Sequence, residues 1–141
     1  DYIKEILDDI GAMYEIKSDI IKSQWQKFCF NCCLNQLSAI TRMTFGELKQ
    51  SQKALDIMKN ICSEVELVAQ KEGIENPDFY NTTLKSLDLM IPDGKTSMLQ
   101  DIESKRKPET DLFGQTVAEL GDKHGIKTPY NQILSEIINC L

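Results

Sequence analysis

One segment, residues 19–42, constrains the fold more than any other part of the 141-residue chain. It contains neither Gly nor Pro, so no residue in it interrupts a helix. Its apolar residues are Trp25, Phe28, Cys29, Phe30, Cys32, Cys33, Leu34, Leu37, Ala39 and Ile40. They surround most of the helix circumference, and a helix that is apolar nearly all round is a buried one. The segment therefore predicts a buried central helix.

A single row of polar side chains runs along this otherwise apolar helix. Its members are Gln24, Lys27, Asn31, Asn35, Ser38 and Arg42. They are three or four residues apart, so they lie within roughly 80° of one another at about 100° per residue. Such a row needs hydrogen-bonding partners. Either another helix or solvent satisfies it as a structural seam, or a substrate does.

Three members of the row could carry chemistry, and they are Lys27, Asn31 and Asn35. An ammonium group on an apolar helix is partly desolvated, which would make it a better proton donor or acceptor near neutral pH. The two amide side chains, one and two turns further on, could hold a hydroxyl, a carboxylate or a carbonyl group. Spacing alone leaves the seam and the substrate site both open.

The rest of the chain also has the pattern of helices. A second long helix is predicted over residues 51–72, followed by Gly73 as a helix-ending signal. Strand signals are almost absent, so we predict a single all-α domain with several helices around two long central ones. The shorter predicted helices run from Tyr2 to about Gly11, from Asn76-Pro77 to about Met90, from Ser97 to about Lys105, from Pro108 to His124 and from Thr128-Pro129 to about Asn139.

Two of the predicted helix starts carry candidate binding residues. Ser97 is followed three residues later by Gln100, the pattern of a capping box, and the free N–H groups of a helix start favour an anion such as a carboxylate. Glu109 follows Pro108 in the first turn of the next helix, where a negative charge complements the helix dipole. Ser97 therefore caps its helix or binds a carboxylate. Glu109 stabilises its helix, pairs with Lys27 or binds a ligand hydroxyl.

Composition and charge exclude several classes of protein. The net charge of −6 repels phosphate backbones, so we predict no nucleic-acid partner. No apolar run of about 18 residues is present, which predicts no membrane partner. The chain has neither a Gly-x-Gly-x-x-Gly loop nor a P-loop, and therefore no nucleotide-phosphate site of its own. Because helical spacing begins directly after Asp1, we expect a piece of a longer protein or a trimmed terminus.

The cysteines point to a reducing compartment. Their number is odd, and the single histidine, His124, is far away in sequence. The Cys29-x-x-Cys32 spacing could indicate zinc or redox chemistry, but no second pair follows it. We therefore predict no metal site, and buried reduced thiols in a cytoplasmic protein. The cysteines are Cys29, Cys32, Cys33, Cys62 and Cys140.

Three stretches resemble, in order and spacing, the C-terminal domain of the ketopantoate reductases (2-dehydropantoate 2-reductases). The first, residues 25–40, reads W-Q-K-F-x-x-N-x-x-x-N-x-L-S-A-I and is followed by Gly46-Glu47. The second, residues 96–114, reads T-S-M-L-Q-D-I-E-S-K-R-K-P-E-T-D-L-F-G. The third, residues 124–131, reads H-G-I-K-T-P-Y-N. The resemblance covers essentially the whole chain and implies a helical domain like that of 6-phosphogluconate dehydrogenase-type reductases.

The resemblance also implies a function. Residues 1–141 would be the substrate-binding and catalytic domain of an enzyme whose NADPH-binding Rossmann domain is absent from this chain. That enzyme would reduce 2-dehydropantoate to pantoate on the route to pantothenate and coenzyme A, and the isolated domain would be inactive. By the same resemblance Lys27 is the general acid, Asn31, Asn35 and Ser97 bind the substrate, and Glu109 lies against the cofactor. A homodimer is one arrangement that stays open.

The chain departs from some members of that family. It has Gln36 where they have Pro, and Phe45 and Gly94 where they have Asn. These differences leave another 2-oxo acid open as the substrate, including that of an opine- or phosphogluconate-type dehydrogenase. A helical binding or dimerisation module without catalysis is the competing class.

Overall fold

The two long helices predicted from the sequence lie at the centre of the fold. The computed structural model describes residues 2–14, 19–107 and 113–141. Every regular element within these ranges is helical, which confirms the all-α class. No helix among them is long and apolar enough to cross a membrane. The elements are α1 (Tyr2–Asp9), α2 (Ile20–Phe30), a π-helical segment (Asn31–Asn35), α3 (Gln36–Thr41), α4 (Phe45–Gln50), α5 (Gln52–Lys71), α6 (Phe79–Asp88), α7 (Ser97–Glu103), α8 (Gly114–His124) and α9 (Pro129–Asn139).

The central helix is continuous from α2 through the π-helical segment to α3. Asp19 caps its start, since the carboxylate accepts a hydrogen bond from the backbone N–H of Lys22 at 2.9 Å. It ends where Arg42 adopts a left-handed φ of 63°. Residues 32–39 are all buried, whereas Ile20 and Ile21 are more than half exposed. The prediction of burial all round is therefore confirmed for the second half, and the first half leaves one face open.

Helix α5 carries the other half of the core. It contacts α2, the π-helical segment, α6, α8 and α9. It ends before Gly73, whose φ of 94° requires the conformational freedom of glycine. Its buried apolar side chains are Ala54, Met58, Ile61, Cys62, Val65, Val68 and Ala69.

Two carboxylates of α5 hold the starts of two other helices. Glu64 accepts hydrogen bonds from the first backbone N–H groups of α9, and Glu66 does the same for α6. The backbone N–H groups of Phe79 and Tyr80 lie 2.6 and 3.0 Å from Glu66 Oε1. The predicted start of α6 at Asn76-Pro77 is wrong, because α6 begins at Phe79. The side chain of the N-cap residue of α6 accepts no hydrogen bond from the first turn, and the carboxylate of Glu66 accepts these bonds instead.

The remaining predicted helix starts have different outcomes. The Thr128-Pro129 start of α9 is confirmed, with Pro129 at the first helical position. The prediction that Ser97 caps α7 is wrong. Thr96 is the N-cap, and its Oγ1 accepts a hydrogen bond from the backbone N–H of Leu99 at 3.2 Å. The predicted helix start at Pro108, with Glu109 in its first turn, lies outside the described residues.

Candidate functional site

A cleft lies between α2 and α6, on the open face of the central helix. Its volume is about 360 Å³. Lys27 and Asn31 lie on one wall and the side chains of α6 on the other. The lining residues are Ser23, Gln26, Lys27, Phe30, Asn31, Thr82, Thr83, Ser86 and Met90. The first two members of the predicted substrate-binding row therefore share a cavity large enough for a small organic acid.

Within the described ranges, three members of the polar row have no partner on a neighbouring helix, whereas Ser38 is hydrogen-bonded to the hydroxyl of Thr96. Lys27 is exposed, Asn31 is half-buried and Asn35 is 7% exposed. Among the described residues, none of these three side chains has a hydrogen-bond or ion-pair partner. The amide atoms of Asn35 are not fully buried, so they remain accessible to solvent or to a ligand. A structural seam between helices therefore accounts for Ser38 and not for Lys27 or Asn31, which line the cleft.

The π-helical segment reshapes the row. Residues 31–35 form i→i+5 turns, which are rare and occur often at functional sites. The wider turn advances each residue by a smaller angle, so the row between Asn31 and Asn35 does not drift around the helix as it would in an α-helix. The sequence carries no signal for this segment, because Asn, Cys and Leu occur as readily in ordinary α-helices.

Ser97 stands beyond the buried end of the row. It is the first residue of α7, it is exposed, and its hydroxyl has no partner among the described residues. The hydroxyl groups of Ser38 and Thr96 form a short, buried hydrogen bond that joins α3 to the start of α7. Ser38 lies one turn after Asn35, so this bond ties the start of α7, where Ser97 stands, to the helix that carries the row. Glu109, the remaining predicted site residue, lies outside the described residues.

Sequence reasoning missed the second wall of the cleft. Thr82, Thr83 and Ser86 follow helical spacing on α6, and nothing in the sequence distinguishes them from an ordinary polar helix face. Their role depends on α6 packing against α2, which is a long-range contact. Three hydroxyl side chains close to Leu84 were the available signal, and it is a weak one.

The cysteines and the histidine are not among the residues that line the cleft. Cys29, Cys32, Cys33 and Cys62 are buried free thiols, as predicted, whereas Cys140 is exposed, so for that residue the prediction is wrong. Burial raises the pKa of the Cys32 and Cys33 thiols well above its usual value, which keeps them protonated. No three His, Cys, Asp or Glu side chains within the described ranges are grouped to hold a metal ion.

The last turn of α8 forms an ion cluster on the surface. His124 Nε2 and Lys123 Nζ lie 2.5 and 2.7 Å from Glu72 Oε1. The hydrogen bonds from His124 and from Lys123 lower the pKa of the Glu72 carboxyl. His124 therefore stands at a helix C-terminus, as predicted, and pairs with a side chain there.

The sequence is similar to known ketopantoate reductases over nearly its whole length. The family model described as "Ketopantoate reductase PanE/ApbA C terminal" matches residues 19–141. A 2-dehydropantoate 2-reductase from Shigella flexneri is 30% identical over 140 residues, which are 98% of this chain and 44% of that protein. Another from Streptococcus pyogenes serotype M1 is 27% identical over 139 residues, which are 97% of this chain and 45% of that protein.

Solved structures share the fold. A ketopantoate reductase of the PanE/ApbA family from Ralstonia eutropha JMP134 matches with a TM-score of 0.87 and 26% identity, over 99% of this chain and 47% of that one. A D-mandelate dehydrogenase in ternary complex with NADH and anilino(oxo)acetate matches with a TM-score of 0.88 and 26% identity, over 99% of this chain and 46% of that one. The chain thus spans about half the length of the relatives that it matches.

Proposed function

The chain belongs to the ketopantoate reductase C-terminal domain family, and from that premise we propose that it is the substrate-binding and proton-donating domain of an NADPH-dependent reductase. The reaction is the reduction of 2-dehydropantoate to pantoate, on the route to pantothenate and coenzyme A. One observation carries the proposal. Lys27, Asn31 and Asn35 form a row of polar side chains that have no partner among the described residues, and the row begins at a cleft.

Lys27 is suited to the role of the general acid. Hydride addition to a ketone places negative charge on its oxygen, and a nearby ammonium group stabilises that charge. Lys27 lies at the open edge of the cleft and has no ion pair among the described residues, so its charge is available to a ligand. It donates a proton to the oxygen, which becomes the product hydroxyl, and it regains a proton from water because it is exposed.

The neutral donors of the site hold the rest of the substrate. Asn31 and Asn35 stand on one rigid helix with Lys27, so their positions relative to the reacting oxygen are fixed. Each amide offers donors to an oxygen and an acceptor to a hydroxyl. Ser97, whose hydroxyl is not used for capping, stands with free backbone N–H groups at the start of α7 and is assigned to the carboxylate.

The cofactor is assigned mainly to the part of the protein upstream of this chain. NADPH supplies the hydride when it is bound. Helix α7 and the cleft contain no glycine-rich loop that could hold its phosphates, so residues 1–141 are proposed as the helical domain that completes a Rossmann-type partner domain. Glu109 is proposed to lie against the cofactor. A chain without the nicotinamide site is expected to show no turnover of 2-dehydropantoate with NADPH, and turnover by these 141 residues would contradict this assignment.

Steady-state kinetics of the full-length protein test the proposal. We expect 2-dehydropantoate with NADPH to give the highest kcat/KM within a panel of 2-oxo acids that includes phenylglyoxylate and pyruvate. A full-length protein that reduces none of them, and that binds none of them in calorimetry, would support a helical binding module instead.

A reductase of another 2-oxo acid is the second candidate, because the D-mandelate dehydrogenase structure matches as well as the ketopantoate reductase structure does. The same panel distinguishes the two, since phenylglyoxylate is the oxo acid that corresponds to mandelate. A higher kcat/KM for phenylglyoxylate than for 2-dehydropantoate would favour this second candidate.

A further inference from the structure

The α6 wall of the cleft presents hydroxyl oxygens whose protons are already committed. Thr82 Oγ1 donates to the carbonyl of Asp78 at 2.7 Å, and Ser86 Oγ donates to the carbonyl of Thr82 at 3.0 Å. A hydroxyl group has one proton and two lone pairs. These two oxygens can therefore only accept hydrogen bonds from a molecule in the cleft.

A third hydroxyl lies deeper in the same wall. Thr83 is 1% exposed and lines the cleft. Apart from the Cys62 thiol beside it, which is a weak partner, its Oγ1 has no hydrogen-bond partner in the described ranges. This oxygen has almost no accessible surface and lies beside the Cys62 thiol of the core, so Thr83 shapes the wall and offers no hydrogen bond to a molecule in the cleft.

The opposite wall has the complementary chemistry. Lys27 and Asn31 present an ammonium group and an amide, which bind the carbonyl and carboxylate oxygens of an oxo acid. A carboxylate accepts hydrogen bonds only, so it has no favourable contact with the oxygens of Thr82 and Ser86. The charged end of a 2-oxo acid therefore lies towards Lys27 and its tail towards α6. Phe30 adds apolar surface for the carbon skeleton of that tail.

We propose that Thr82 and Ser86 determine substrate specificity by recognising a hydroxyl group on the tail of the 2-oxo acid. An alcohol can donate its one proton to the oxygen of Thr82 or of Ser86, whereas an alkyl or aryl tail offers neither oxygen a hydrogen bond. The inference rests on the proposed function and deepens it, because it assigns specificity to a helix that carries none of the residues proposed above.

Two substrates and two conservative variants test this inference in the full-length enzyme. 2-Dehydropantoate and trimethylpyruvate have the same carbon skeleton around the ketone and differ by the hydroxyl group. Thr82→Val keeps the shape of the side chain, and Ser86→Ala removes a single oxygen. Ser63→Ala is the matched control, because Ser63 also donates to a carbonyl one turn back, at 2.8 Å, on the exposed face of α5.

We expect the unaltered enzyme to prefer 2-dehydropantoate. At least one of the two cleft variants should reduce the ratio of the two kcat/KM values by about tenfold, the effect of one lost hydrogen bond, chiefly through the KM for 2-dehydropantoate. Turnover of trimethylpyruvate should be unchanged, which also reports that the variant is folded, and Ser63→Ala should leave the ratio unchanged. An unchanged ratio in both cleft variants, or equal losses on both substrates, would overturn the inference. An unaltered enzyme that reduces neither acid would instead refute the proposed function, and this inference with it.

Discussion

Removal of the Glu64 carboxylate should separate the start of α9 from the core. This side chain is 7% exposed and accepts three hydrogen bonds at the first turn of α9. Its partners are the backbone N–H groups of Tyr130 and Asn131, at 2.8 and 2.9 Å, and Asn131 Nδ2 at 2.8 Å. In Glu64→Ala these donors lose their acceptor in a place that water reaches poorly.

The size of the effect follows from these contacts. Loss of a helix cap costs about 1–2 kcal/mol, and a hydrogen bond to a charged group contributes about 1.5–3 kcal/mol. Tyr130 is partly exposed, so water replaces one of the lost bonds, and we expect Glu64→Ala to lower the free energy of unfolding by about 3 kcal/mol. In a chain of this length that corresponds to a decrease in Tm of about 10 °C. Glu64→Gln keeps one acceptor oxygen and should lose about half as much.

Urea denaturation followed by circular dichroism measures the change. Glu119→Ala is the matched control, because Glu119 is exposed on α8 and its carboxylate accepts a hydrogen bond from the neighbouring Gln115 at 3.0 Å. Hydrogen exchange should show the loss of protection first in the N–H groups of Tyr130 and Asn131. If Glu64→Ala stays within about 0.5 kcal/mol of the control, the conclusion that this carboxylate anchors α9 is refuted.

Three further predictions concern the acid, a close contact and the surface ions. In the full-length enzyme, Lys27→Ala should lower kcat by about 10²–10⁴-fold. The control Lys53→Ala, which changes an exposed residue of α5, should leave kcat unchanged. A near-normal kcat for Lys27→Ala would refute the assignment of this residue as the general acid. Gly114→Ala should destabilise the chain by about 1–3 kcal/mol in thermal denaturation, because the added Cβ would lie 2.6 Å from the carbonyl oxygen of Asn131; an unchanged Tm would show that α8 and α9 can separate freely. The pKa of Glu72 is lowered in the folded state, so its ion cluster stabilises the fold above the usual carboxyl pKa of 4.5 and loses this effect as the pH falls through the lowered value. In urea denaturation at several pH values, Glu72→Gln should therefore reduce the dependence of the free energy of unfolding on pH at the acid end. The same dependence in both proteins would contradict this.

Local signals predicted much of the fold. The glycine that ends α5 and the Thr128-Pro129 start of α9 each depend on residues that are adjacent in sequence. Such signals act through backbone hydrogen bonds within one turn, so the sequence is sufficient to reveal them. The buried faces of the two long helices followed in the same way from periodicity.

Features that depend on distant residues could not be predicted. The start of α6 depends on Glu66, which is 13 residues upstream of Phe79 and on another helix. The hydroxyl wall opposite Lys27 depends on the packing of α6 against α2. For the site itself, spacing placed Lys27, Asn31 and Asn35 in one row and could not decide between a seam and a ligand. The absence of side-chain partners for these three residues, among those the structure describes, is the information that only the structure supplied.

The two hydrogen bonds from α6 to Glu66 have a consequence for protein engineering. They fix the position of the first turn of α6, while Thr82, Thr83 and Ser86 follow on the same short helix. A change at Glu66, such as its shortening to Asp, would move the hydroxyl wall relative to Lys27 without altering any residue that a substrate touches. If the cleft binds the substrate as proposed, we expect changes at Glu66 to alter the substrate sizes that it accepts, and mutant libraries limited to the lining residues would not sample this position.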